Sequence, residues 1–209
     1  DEPVSELSGK TPLEALTLPA IDRLAGHAMG RVLTVPEGLP PGSDTAILSI
    51  FGCDPNEYYT GRSPLEAAGS GVVLPAGAVS FRVNLVSLSG GTFPQAVIRS
   101  HNGGNIEGDE AEQLMDALLS DPEFREKCNA MGLRVHPTRT FRHVGELAAD
   151  RVPGDATFQL TEPHNILGAP IAGHLPGGAH SVALTGLMER SFAVLRDHPV
   201  NRARAARAR

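Results

Sequence analysis

Residues 31–51 read RVLTVPEGLPPGSDTAILSIF. Arg31 to Val35 is short and β-branched, the composition of a strand. Pro36 to Gly42 packs three prolines and two glycines into seven residues and excludes regular structure there. From Ser43-Asp44 onward, Ile47, Leu48, Ile50 and Phe51 recur at helical spacing. Strand, Pro/Gly loop and helix in this order predict an α/β fold, with Ser43 at a helix N-terminus. The first N–H groups of a helix lack intrahelical acceptors, and the dipole there favours an anion. A serine so placed accepts a phosphoryl group if a metal or a base lowers its pKa. The plain alternative is that Ser43 only caps the helix.

Outward from this stretch, Pro19 to Met29 reads as a helix on Ile21, Leu24, Ala25 and Ala28, with Pro19 in its first turn. Asp54 to Gly61 reads as a loop, and Pro64 opens a short helix through Leu65 and Ala68. The character changes near residue 71. Val79 to Leu88 alternates, with Val79, Phe81, Val83 and Leu85 on one face and Ser80, Arg82 and Asn84 on the other. A second strand is expected over Gln95 to Arg99 after a Gly90-Gly91 turn. Glu107 to Leu119 reads as a helix whose acidic start suits its dipole. Further strands are read at Leu133 to His136, Thr140 to Leu147 and Thr157 to Leu160. A Pro/Gly-rich loop follows over Pro163 to Gly178, then an amphipathic helix over Ala179 to Arg196.

The chain has 209 residues and a formal net charge of -6, which argues against a nucleic-acid partner. No run of 18 apolar residues is present, so no transmembrane helix is expected. Cys53 and Cys128 are too few for a disulfide framework, and neither has metal-ligand spacing; a reducing cytoplasm is the expected location. Lysine is confined to Lys10 and Lys127 while arginine is abundant. Arginine suits bidentate binding of phosphate and carboxylate, but a GC-rich genome produces the same bias. Arg202, Arg204, Arg207 and Arg209 crowd the C-terminus and read either as a frayed, solvated helix end or as an anion-binding run. Gly103-Gly104 lacks a following Lys-Ser/Thr pair, which excludes a nucleotide P-loop.

Several residues offer binding chemistry. Arg62 follows two tyrosines, and Arg82 with Asn84 occupies the polar face of an otherwise apolar strand, where a charge meets either a cleft or solvent. Arg142-His143 lies on a strand, and His164 follows Pro163 in the long loop. Each has a structural alternative: a surface ion pair for the arginines, a satisfied or solvated ring for the histidines. Arg99-Ser100-His101 ranks below these.

Lys10-Thr11-Pro12-Leu13-Glu14-Ala15, Pro36-Glu37-Gly38, Pro41-Gly42-Ser43-Asp44-Thr45-Ala46 and Gly61-Arg62-Ser63-Pro64-Leu65-Glu66-Ala67 resemble the archaeal-type cofactor-independent phosphoglycerate mutases, members of the alkaline phosphatase-like metalloenzyme superfamily. Phe81-Arg82-Val83-Asn84-Leu85, Pro163-His164 and Asp197-His198-Pro199-Val200-Asn201 continue the resemblance in the family's order. It implies a partial alkaline phosphatase-like core over 1–71, an inserted α+β substrate domain over 72–178, and a helix with a basic tail over 179–209 returning to the core. It also implies interconversion of 3- and 2-phosphoglycerate through a phosphoserine at Ser43, without 2,3-bisphosphoglycerate. Two divalent metals are implied, manganese first and magnesium or zinc as alternatives, with Ser43 as one ligand and the rest outside this chain. Arg62, Arg82, Asn84, Arg142 and His164 are the implied substrate-binding residues for a small phosphorylated substrate. The family's opening strand and its later Asp/His cluster are expected beyond the two ends, so the chain alone is expected to be inactive. A related phosphotransferase, such as the proposed homoserine kinase, and a non-catalytic binding remnant are the alternatives. Asn165 stands where the family often has Asp, which removes a charge role there. Val83 and Cys53 replace a common cysteine and tyrosine and read as packing changes.

Overall fold

The computed structural model describes residues 2–27, 30, 33–154 and 157–207. They form a mixed α/β structure with small antiparallel sheets, divided into two compact units, 1–59 and 60–209.

In the first unit, α1 (Pro12–Ala15) begins at a capping box: the Thr11 hydroxyl accepts from Glu14 N–H and the Glu14 carboxylate accepts from Thr11 N–H. Pro19 opens α2 (Pro19–Ala25), which stops before the Met29 expected from the pattern; Ala28 and Met29 lie outside the described residues. The strand expected over 31–35 is not formed at Leu33–Val35, and Arg31 and Val32 lie outside the described residues. A strand exists only as a paired ladder, and the one pairing among the described residues of this unit is the isolated bridge Val4–Lys10. The helix after the Pro/Gly loop is α3 (Ser43–Ile50). The stretch read as a loop from Asp54 contains α4 (Pro55–Tyr58), with Asp54 accepting from Asn56 N–H and Pro55 at its first position.

The second unit starts with α5 (Arg62–Gly69). The alternating run forms β1 (Val79–Asn84) and then breaks; β2 (Ser87–Ser89) pairs instead with β3 (Val97–Ser100), with a register shift between Ser87 and Leu88. After α6 (Gly108–Ser120) comes α7 (Pro122–Met131), which has no counterpart among the expected elements. Its signals are local: Asp121 accepts from Phe124 N–H at 2.9 Å, Pro122 fills the first position, and Gly132 ends it at φ +74°.

β4 (Leu133–His136) and β1 flank β5 (Arg142–Leu147) in an antiparallel sheet of order β1-β5-β4. Val79, Phe81, Leu133, Val135, His143 and Leu147 share one face; Ser80, Arg82, Asn84, Arg142, Val144 and Glu146 share the other. Phe81 lies against Gly145, where an added Cβ would meet its ring at 2.7 Å. α6, α7 and α8 (Ser181–Arg196) cover the first face, with Met115, Leu118, Phe124, Cys128, Leu184 and Leu187 completing the core. The strand expected over 157–160 forms at β6 (Phe158–Gln159), which pairs with β7 (Gly177–Gly178) at the end of the long loop. The basic C-terminus is a packed helix, α9 (Pro199–Arg207), with Val200 buried; Arg204 and Arg207 both pair with Glu110. Arg204 also donates to the Gly103 and Gly104 carbonyls at 2.6 and 3.0 Å, so Arg204 and Arg207 clasp the helix to Glu110 and this turn. Arg209 lies outside the described residues.

Candidate functional site

At the turn into α3, Ser43 is the first helical residue and Gly42 precedes it as the cap. Thr45, which is fully buried, ties the helix start to the loop before it: its hydroxyl accepts from Gly42 N–H and lies 2.9 and 3.1 Å from the Gly42 and Pro40 carbonyl oxygens. Ser43 stands one residue past the cap position, so it is not the helix cap. Its side chain is exposed and makes no hydrogen bond among the described residues. Asp44 folds back over Gly42, so a side chain at 42 would collide with its carboxylate, and the Tyr59 hydroxyl donates to Asp44 Oδ2 at 2.5 Å. The result is an unencumbered hydroxyl on a braced helix start.

In the second unit, α5 lies on β1 and β5 and brings Glu66 to the polar face of the sheet. Arg82 grips the Glu66 carboxylate with Nε and Nη2, the Nε contact at 2.8 Å. Arg62 Nε reaches the same carboxylate at 3.3 Å from one turn away on α5. Arg62 and Arg82, expected independently, are thus joined through an acidic residue that had no assigned role. Asn84 shares the Arg82 face, and its Oδ1 is buried with no partner among the described residues. The Ser63 and Ser80 hydroxyls are in the same condition.

A cleft of about 230 Å³ is lined by Glu66, Ser70, Thr138, Thr140, Arg142 and His143. Arg142 is exposed, and its guanidinium rests over the Phe141 ring, 4.8 Å from the centroid. It has no carboxylate partner among the described residues, in contrast to Arg62 and Arg82. Phe141 meets His101 edge-on at 6.4 Å between centroids, and His101 meets His164 at 6.2 Å. Arg142 and His164, distant in sequence, therefore belong to one ring cluster, and His101 is the member that spacing alone ranked low. His164 Nε2 is 3.8 Å from Glu162 and half exposed.

His143 is 1% exposed. Its Nδ1 accepts from Thr138 N–H at 3.0 Å, which assigns the ring proton to Nε2, where no partner exists among the described residues. Burial pushes its pKa down to about 4, so the ring is neutral near pH 7. Its immediate role is to hold the β4–β5 turn.

Among the described residues no group of three or more His, Cys, Asp or Glu side chains converges on a point that could hold a metal ion. The described part of the chain does not form a metal site by itself.

Comparison with known proteins gives these features a family. Residues 26–201 match the family model for 2,3-bisphosphoglycerate-independent phosphoglycerate mutase. The enzyme of that name from Methanosarcina acetivorans is 43% identical over 96% of this chain, which covers 47% of it. A probable one from Geobacter sulfurreducens is 41% identical over 98% of this chain, which covers 49% of it. The solved cofactor-independent phosphoglycerate mutase from Thermoplasma acidophilum superposes with a TM-score of 0.52 at 27% identity, over all of this chain and 53% of that one. The chain spans about half the length of the curated relatives it matches. It belongs to the 2,3-bisphosphoglycerate-independent phosphoglycerate mutase family.

Proposed function

We propose that the protein carrying this chain interconverts 3-phosphoglycerate and 2-phosphoglycerate, an intramolecular phosphoryl transfer, through a phosphoserine at Ser43. The observation that carries this reading is the braced, solvent-facing hydroxyl of Ser43 at the start of α3, inside a chain that belongs to this family. A nucleophile needs a hydroxyl that is not consumed by its own backbone, and Ser43, one residue past the Gly42 cap, makes no such bond among the described residues. The substrate carries a phosphate and a carboxylate. Arg142, with its donors unclaimed, is the readiest anion partner, and Arg62, Arg82, Asn84 and His164 complete the proposed set.

The finer architecture belongs to the same proposal: residues 1–71 as part of an alkaline phosphatase-like core, 72–178 as the inserted substrate domain, and 179–209 as the return to the core. So do two divalent ions, manganese first, with Ser43 as one ligand. Such ions supply charge neutralisation and nucleophile activation.

The test is an enolase-coupled assay of the protein carrying this chain, supplied with 3-phosphoglycerate. Turnover is expected. Arg142→Ala is expected to raise KM roughly ten- to a hundredfold, the loss of charge-assisted hydrogen bonds to an anion. Phosphorylation of homoserine without mutase turnover would replace this reading with the kinase one.

A further inference from the structure

We infer that Glu66 is a positioning residue that holds Arg62 and Arg82 ready for the anionic substrate; this rests on the substrate-binding reading of those arginines. Three observations carry it. One carboxylate takes Arg82 through Nε and Nη2 and Arg62 through Nε, which leaves Nη1 of Arg82 and both terminal nitrogens of Arg62 unclaimed by it. Glu66 itself lines the cleft that Arg142 lines, so the carboxylate that holds the pair, though neither Arg62 nor Arg82, borders that space. Finally, Glu66 sits on α5, whose Ala67 is fully buried, so its backbone is fixed relative to β1.

The charge count supports a holding role over a blocking one. Arg62, Arg82 and Arg142 carry three positive charges against the one negative charge of Glu66, an excess that suits a ligand bearing phosphate and carboxylate. An arginine held by one edge of its guanidinium still presents the other donors, and its rotamers are already chosen before the ligand arrives. A competitor role is the opposing possibility, because the carboxylate of Glu66 resembles that of the ligand. The two roles predict opposite signs.

The experiment is isothermal titration of the protein carrying this chain with 3-phosphoglycerate at about 0.15 M salt, where exposed charges are screened beyond roughly 8 Å. Glu66→Gln is expected to weaken binding about tenfold, the cost of releasing two rotamer-rich side chains. Glu66→Asp keeps the charge but is one methylene too short to span both arginines, and it is expected to weaken binding as well. In an Arg82→Ala background, Glu66→Gln is expected to have much less further effect, a non-additivity that a purely structural residue would not show. Tighter binding by Glu66→Gln makes Glu66 a competitor and overturns the inference. So does unchanged binding while Arg82→Ala still abolishes it. Unchanged binding by Arg82→Ala, or no binding by the unaltered protein, removes the substrate-binding reading and the inference with it.

Discussion

At the scale of single residues, His143 gives the clearest pH behaviour. Its folded pKa, about 4, lies below the ordinary histidine value, so the unfolded chain binds the proton first as pH falls. Its contribution is present above about pH 6.5 and is lost progressively between there and pH 4, reaching an order of 3 kcal/mol. Denaturant unfolding at pH 7 and pH 4.5 is expected to show this loss. His143→Asn, whose Oδ1 stands where Nδ1 stood and keeps an acceptor for Thr138 N–H without a titrating ring, is expected to lose less over the same interval. An equal loss in both proteins would assign the acid sensitivity elsewhere. Asp121 acts in a lower window: Arg190 and the Phe124 N–H hold its carboxyl down to about 2, so its contribution goes only below the usual carboxylate range.

At the scale of elements, α3 depends on one buried hydroxyl. Thr45→Val keeps the shape and leaves Gly42 N–H without its acceptor, and is expected to cost about 1–3 kcal/mol, read by denaturant unfolding. The start of α3 was legible because Pro and Gly forbid structure up to residue 42 and the apolar spacing begins directly after it. The polar identity of Arg82 and Asn84 was legible too, because alternation across β1 assigns faces without knowledge of the partner strand. The strand expected over 31–35 was over-read at Leu33–Val35, since pairing is a property of the neighbour and not of the segment. α7 carried its own cap, Asp121-Pro122, and its own stop, Gly132, but its outward positions are so polar that periodicity alone passed over it. Glu66 had no assigned role and His101 ranked low for a different reason: their partners, Arg82 and His164, are distant in sequence, and no local pattern encodes that meeting.

At the scale of the whole molecule, the two units differ in how much they bury. Among the described residues of 2–59, Thr45 and Pro55 are the buried ones, while Leu13, Leu24, Ile47, Ile50 and Phe51 stand exposed. The second unit holds the apolar core between the β1-β5-β4 sheet and α6, α7 and α8. The nucleophile is thus proposed on the unit with the least core, and the anion-binding residues on the unit with the most, where packing fixes Arg82 and His143 but leaves Arg142 open. Since the chain spans about half of its relatives, the decisive assay uses the whole protein that carries it. That protein is to be incubated with phosphate-labelled 3-phosphoglycerate, quenched, and mapped by mass spectrometry, beside its Ser43→Ala variant. The account predicts label on the peptide containing Ser43, and neither label nor mutase turnover in the variant; undiminished turnover by the Ser43→Ala protein would contradict it.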